Sequence, residues 1–298
     1  MQEELRFATF NTFNLAPPGA RLYDNLAPTT ADEYEAKLDW TARQLDLINA
    51  DVIGFQEIFS QSVLAEVLRR TQRYHDAHHI GFDPDPGAAR LTPSVALVSR
   101  LPLAEPGTEL GTFPANVTMP AGSRDPDRFT RAPLHAGVIA PSGLVIDVVV
   151  VHLKSRRPDY RSSDSGADPH LYALACLRSL IRRGTEATAL RVLLTDMAHT
   201  HRRPRIVLGA GTPLGERLYD ASQVQRRLDH QRHVGYSILH DTRHSTIDHI
   251  LVSPEFNPAL PDAIGEVIDV VYLNDHLNLA LPESSDHGQV LARIRLFG

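Results

Sequence analysis

Apolar and polar positions change period along the chain, and the changes mark out its elements. Residues 5–11, LRFATFN, alternate, which predicts a strand. After a Pro/Gly-rich loop, Thr30 and Glu33 stand at capping-box spacing, and Tyr34, Leu38, Leu45 and Ile48 recur on one helical face. DVIGFQEI, 51–58, reads as a buried strand ending in polar groups. Ser60 is placed to cap a second helix with Val63, Leu64, Val67 and Leu68 turned inward. PSVALVSR, 93–100, is a further strand, and the Pro-, Gly- and Asp-rich stretch 104–128 reads as loop. GLVIDVVVVHLKS, 143–155, is a strong strand with His152 and Lys154 at its end. A polar loop, 156–169, leads into a long helix with Leu171, Leu174, Leu177, Ile181, Leu190, Leu194 and Met197 at helical spacing. Strands at 206–208, 246–253 and 289–297 follow.

No stretch is long or biased enough to be a linker, and no repeat of about 20 to 50 residues appears, so a single domain spanning 1–298 is expected. Strands outnumber helices, and many end in Asn, Glu, His or Asp. That pattern suits a packed β core with a site assembled at one rim.

The strand-end residues form a chemical set. Asn11, Glu57 and Asp286 offer hard oxygens suited to Mg²⁺ or Mn²⁺. His152 and His287, with Asp248 as a carboxylate partner, suit proton transfer and stabilisation of an anionic phosphate. Taken singly, each has a plain structural reading: a turn for Asn11, a solvated carboxylate for Glu57, a hydrogen-bonded structural role for His152, a cap for Asp286. Their order and contexts together carry the chemical reading.

In that order, the chain resembles the endonuclease/exonuclease/phosphatase superfamily, which includes deoxyribonuclease-I-like and apurinic endonucleases, inositol-phosphate phosphatases and sphingomyelinases. FATFN is similar to the family's opening strand with its metal-site Asn, here Asn11. DVIGFQE is similar to the segment with the metal-binding Glu, here Glu57. VVVVHLKS matches the strand ending in the catalytic His, here His152. TIDHILVS supplies Asp248, which by resemblance orients a second histidine. SSDHGQV supplies Asp286 beside the metal and His287 at the phosphate. The resemblance also sets Arg131, Lys154 and Thr212 toward the substrate. It implies an α/β fold, a four-layer αββα sandwich of two mixed sheets face to face with helices outside.

One motif departs from the family. Where relatives carry Gly-Asp-x-Asn, this chain has Gly209, Ala210, Gly211 and Thr212, so Ala210 and Thr212 are altered family positions. The glycines Gly209, Gly211 and Gly215 resemble a dinucleotide-binding turn. That turn should open a first βαβ unit and be followed by a strand ending in an acid, and this one lies late in the chain. The stretch reads instead as an active-site loop without two functional side chains. A positioned acid or base contributes about 10² to 10⁴ in rate, so the loss has weight. The expectation is a divalent-metal-dependent phosphoester hydrolase with an atypical loop. The alternatives are acid/base cyclisation, elimination or isomerisation of a small molecule on the same fold, or a ligand-binding pseudoenzyme.

Composition narrows the partners. Hydrophobic content of 42% and charged content of 22% are those of an ordinary globular protein. The net charge of -6 gives nucleic acid no global field, although HRRPR (201–205), RRLDHQRH (226–233) and SRRPDYR (155–161) are locally basic. The expected partner is a small-molecule or phosphoester substrate, with no membrane and no obligate protein partner. The longest apolar run is interrupted by Asp147 and too short to span a bilayer. MQEELRFATFN has neither the basic nor the apolar region of a secretory signal, so a cytoplasmic protein is expected. The lone Cys176 reads as a small buried hydrophobe on a helix. HDAHH (75–79) and HTH (199–201) lack a zinc-site pattern and read as solvated surface histidines.

Overall fold

The computed structural model describes residues 3–83, 90–161, 166–210, 218–226, 235–240, 242–279 and 281–298. Its strands are β1 (Glu3–Leu15), β2 (Val52–Ile58), β3 (His78–Gly81), β4 (Ser94–Ser99), β5 (Thr108–Glu109), β6 (Leu134–Ile139), β7 (Val145–His152), β8 (Arg205–Ala210), β9 (Tyr219–Asp220), β10 (Ile238–His240), β11 (Arg243–Ser245), β12 (Asp248–Val252), β13 (Gly265–Leu273) and β14 (Gln289–Leu296). Its helices are α1 (Ala31–Ile48), α2 (Gln61–Arg70), α3 (Pro169–His201) and the short α4 (Ala221–Val224).

Two mixed six-stranded sheets, ordered β13-β14-β1-β2-β4-β3 and β5-β6-β7-β8-β12-β9, make an α/β sandwich. Period-two alternation builds the layer between them: Leu5, Phe7, Val52, Leu97, Val290 and Ala292 from the first sheet meet Val148, Val150, Ile206, Leu208 and Ile250 from the second. The sheets approach closely at Gly54, where an added Cβ would stand 2.8 Å from Leu208 Cβ. The opposite face of the first sheet carries Ala8, Phe10, Ile53 and Phe55, covered by Leu38, Trp40 and Leu45 of α1 and Val63, Leu64 and Val67 of α2. α1 starts where its sequence signals: Thr30 Oγ1 accepts from Glu33 N at 3.3 Å, and the Glu33 carboxylate accepts from Thr30 N at 2.8 Å. α2 also starts after Ser60, but the Ser60 hydroxyl caps nothing and bonds instead to the Ser62 hydroxyl.

The chain divides into two compact units, Met1–Glu109, Pro133–His152 and Arg203–Gly298 in the first, Leu110–Ala132 and Leu153–Arg202 in the second. Both sheets and the helices α1, α2 and α4 belong to the first, and α3 belongs to the second. Within the second, α3 is capped by Asp168, whose side chain accepts from His170 N at 2.8 Å. The buried Glu186 carboxylate accepts from Thr130 N and from Lys154 N, and Phe113 meets Phe129 edge-on at 4.8 Å. Leu174 and Leu177, two of the leucines at helical spacing, are each 50% exposed. The buried positions in that half of α3 are taken by Ala175 and Ser179, and Cys176 is only partly buried. Among the described residues, no helix is long and apolar enough to cross a membrane.

Candidate active site

The inner rows of both sheets run out of apolar residues at one rim. Along β1, Leu5 and Phe7 give way to Thr9 and Asn11; along β7, Val148 and Val150 to His152; along β12, Val252 and Ile250 to Asp248. Alternation alone brings these side chains to one face. Glu57 has the parity of Ile53 and Phe55, which face the helices. A register shift between Gln56 and Ile58, with φ +62° at Glu57, turns it back toward Asn11. Phe13 and Asn14 in the facing part of β1 are also left-handed, at φ +54° and +63°. Such non-glycine conformations cost about 1–3 kcal/mol each and persist only where surroundings impose them. Here Phe13 N donates to Asn11 Oδ1 at 3.0 Å and Asn14 N to Glu57 Oε2 at 3.2 Å.

Asn11 is the hub. Its Nδ2 donates to Glu57 Oε1 at 3.2 Å and lies 3.4 Å from His287 Nε2. His287 Nδ1 is 2.7 Å from Asp248 Oδ2, and His152 Nε2 is 3.9 Å from Glu57 Oε1. Asp286 Oδ1 lies 3.8 Å from His287 Nε2. Ser285 pins the arrangement: its hydroxyl donates to Asn11 O at 2.7 Å and accepts from His287 N at 2.9 Å. The structure thus gathers Asn11, Glu57, His152, Asp248, Asp286 and His287 at one place.

Electrostatics follow from that gathering. Burial pulls the His287 pKa down, but the Asp248 charge and hydrogen bond, then Asp286 and Glu57, outweigh it and raise it to about 9. Burial, and to a lesser extent Glu57, pushes the Asp286 carboxyl up. Glu57 and Asp286 together offer a hard-oxygen set that a divalent cation would fit. As it lies, Asn11 turns its nitrogen to Glu57 and its oxygen to Phe13 N, which leaves the carboxylates of Glu57 and Asp286 as the groups that could hold a cation.

Ala210 lies in register between two site residues, its backbone paired with His152 on one side and Asp248 on the other. The preceding Gly209 has φ +148°, and a Cβ there would fall 2.0 Å from Val151 O, so no side chain fits. Thr212 lies outside the described residues, as do Gly211 and Gly215. Lys154 and Arg131 belong to the second unit, where they bond to carbonyl groups: Lys154 Nζ to Arg157 O at 2.9 Å, Arg131 to Leu153 O at 2.9 Å. His249 points to the other side of the sheet and pairs with Asp220 at 2.7 Å. Of the HDAHH histidines, His79 is partly buried against Gln61 at 2.9 Å rather than solvated, and His75 and His78 are exposed.

Sequence reasoning passed over Lys37 and Asn14. Lys37 sits one position before the inward Leu38 on α1, on the edge of the apolar stripe, and that was its one signal. Nothing in the residue type of Asn14 distinguishes it from a turn residue.

Solved structures match nearly the whole chain. D. rerio TDP2 humanized by 14 mutations superposes with a TM-score of 0.60 at 15% identity, covering 98% of this chain and 98% of that one. The human Nocturnin catalytic domain with bound sulfate anion gives 0.57 at 15% identity, over 99% and 95%. An endonuclease/exonuclease/phosphatase from Beutenbergia cavernae DSM 12333 gives 0.55 at 17% identity, over 99% and 72%. The chain has the endonuclease/exonuclease/phosphatase fold. In that fold the gathered residues occupy strand ends at one rim of the sandwich. No family model and no curated protein matches the sequence.

Proposed function

We propose that this endonuclease/exonuclease/phosphatase-fold protein hydrolyses phosphodiesters with a divalent metal, Mg²⁺ or Mn²⁺, held by Glu57 and Asp286. The observation that carries the reading is the Asn11 bridge between Glu57 and a His287 whose far nitrogen is 2.7 Å from Asp248. The cation would polarise a phosphoryl oxygen and offset charge in the transition state. His287, protonated at neutral pH, donates from Nε2 to a phosphate oxygen, with Asp248 holding the ring. That proton makes Nε2 a donor, so it serves the phosphate and not the Asn11 amide, which keeps its bonds to Glu57 and Phe13 N. His152 is the remaining proton carrier beside the residue-210 position. The D. rerio TDP2 structure with a single strand DNA product and the sulfate of the Nocturnin structure support an anionic, phosphoryl-like ligand for this fold.

Glu57→Gln tests the assignment. Wild-type turnover of bis-p-nitrophenyl phosphate should be abolished by EDTA, and the variant should lose at least about 100-fold. Turnover that survives both would remove the metal from the reaction.

Ala210 favours a second reading, in which the rim serves a non-hydrolytic acid/base reaction. Ala210→Asp with Thr212→Asn separates the two. A weakened phosphodiesterase should gain EDTA-sensitive activity, by about tenfold or more, from a restored proton-handling group. A folded double variant with no gain would move the assignment to the second reading.

A further inference from the structure

Lys37 has no role in the chemistry above, yet it reaches the same place. It rises from the edge of the stripe on α1, and its Nζ lies 5.6 Å from the Trp40 ring centroid and 5.7 Å from that of Phe13. Its single hydrogen bond among the described residues goes to Ser284 O at 3.3 Å, although an ammonium carries three donors. Both partners are tied to the site: Phe13 follows Asn11 by two residues, and Ser284 precedes Asp286 by two. The housing is firm. Trp40 meets the His276 ring at 5.2 Å, and His276 Nε2 lies 2.9 Å from His287 O. The charges that act on the ammonium are, in order, Asp286, Glu57 and Glu283. Burial lowers its pKa to about 8, and these three carboxylates hold it that high, so at pH 7 it is largely charged.

A cation at this position is expensive for the fold. The Trp40 and Phe13 rings lie within cation–π reach and offset part of that cost, although an apolar side chain would pack there without losing hydration. The carboxylates whose charge acts on the ammonium most strongly are Asp286 and Glu57, the two assigned to the metal. Resting on that metal-dependent reading, we propose that the Lys37 ammonium is a built-in second cation of the Glu57–Asp286 pair, so that the chain takes up one divalent ion and not two. Carboxylate clusters without such a group commonly collect two ions about 3.5–4 Å apart. A tethered ammonium holds the place of the second, repels a competitor, and keeps the carboxylates partnered when the first ion is absent. Lys37 is then a positioning residue: it acts on the ligands and leaves the reacting atoms alone.

The test counts ions. The full chain, stripped with EDTA and dialysed, is titrated with Mn²⁺ by calorimetry at pH 7, as wild type, Lys37→Met, Lys37→Arg and Glu57→Gln. Wild type and Lys37→Arg should bind one Mn²⁺ per chain, and Lys37→Met two. Lys37→Gln serves as a second uncharged variant if Lys37→Met fails to fold, judged by its melting curve in EDTA. An uncharged variant that still binds one ion, at whatever affinity, overturns the inference and leaves the metal reading standing. Two ions in the wild type would overturn it as well. Wild type that binds no more Mn²⁺ than Glu57→Gln overturns the metal reading and, with it, the role of Lys37.

Discussion

His287 is charged where burial alone would keep it neutral, and Asp248 is the main reason. The pKa of about 9 lies above the ordinary histidine value of 6.5, so the folded state binds the proton more tightly than the unfolded chain. The stabilisation is therefore fully present below about pH 6.5 and is lost as pH rises through about 9. In EDTA, wild-type stability should fall across that window, and Asp248→Asn should flatten the fall. The His287 midpoint in the variant, followed by NMR, should drop well below 9; an unmoved midpoint would refute the pairing as its cause. At this scale the sequence was legible where alternation holds. Asn11, His152 and Asp248 lie on the inner rows that period two selects. Glu57 does not, because a bulge overrides its parity, and it was found as the polar end of the DVIGFQE run instead. Lys37 was hidden because a lysine beside an apolar stripe reads as a stem lying on the surface.

Among the elements, β2 shows most directly how packing limits sequence. Val52, Gly54 and Gln56 face the second sheet, and only the absence of a side chain at Gly54 lets Leu208 and Val150 come so near. Gly54→Val should overpack this contact and lower unfolding free energy by about 1–3 kcal/mol, measured by urea denaturation. A variant as stable as wild type would mean that the sheets can part without loss. β13 escaped detection for a related reason. Its Val267 and Val270 both face the core across a register shift between Val267 and Asp269, so no clean period of two exists. α3 misled in the opposite sense: the spacing of its leucines is helical, but Ala175, Ser179 and the hydrogen-bonded Glu186 take buried positions that a hydrophobicity pattern cannot anticipate.

Over the whole molecule, net charge conceals a division. The second unit holds twelve Lys and Arg against seven Asp and Glu, and the first holds eighteen against twenty-nine. An overall value of -6 thus averages a basic unit with a strongly acidic one. The sandwich itself was legible only through the resemblance, since strand runs and helix spacings do not encode which strands become neighbours. The pairing of β1 is the clearest case: Glu3 lies opposite Leu296, and β14 fills the edge of β1 that β2 leaves open. During synthesis at about 5–20 residues per second, β1 must wait on the order of tens of seconds for that neighbour. Asp286 and His287 emerge just ahead of it. A nascent chain released before β14 is made would expose an unpaired strand edge and carry Asn11 and Glu57 without their partners, so premature termination yields an aggregation-prone and inert product rather than a partly working one.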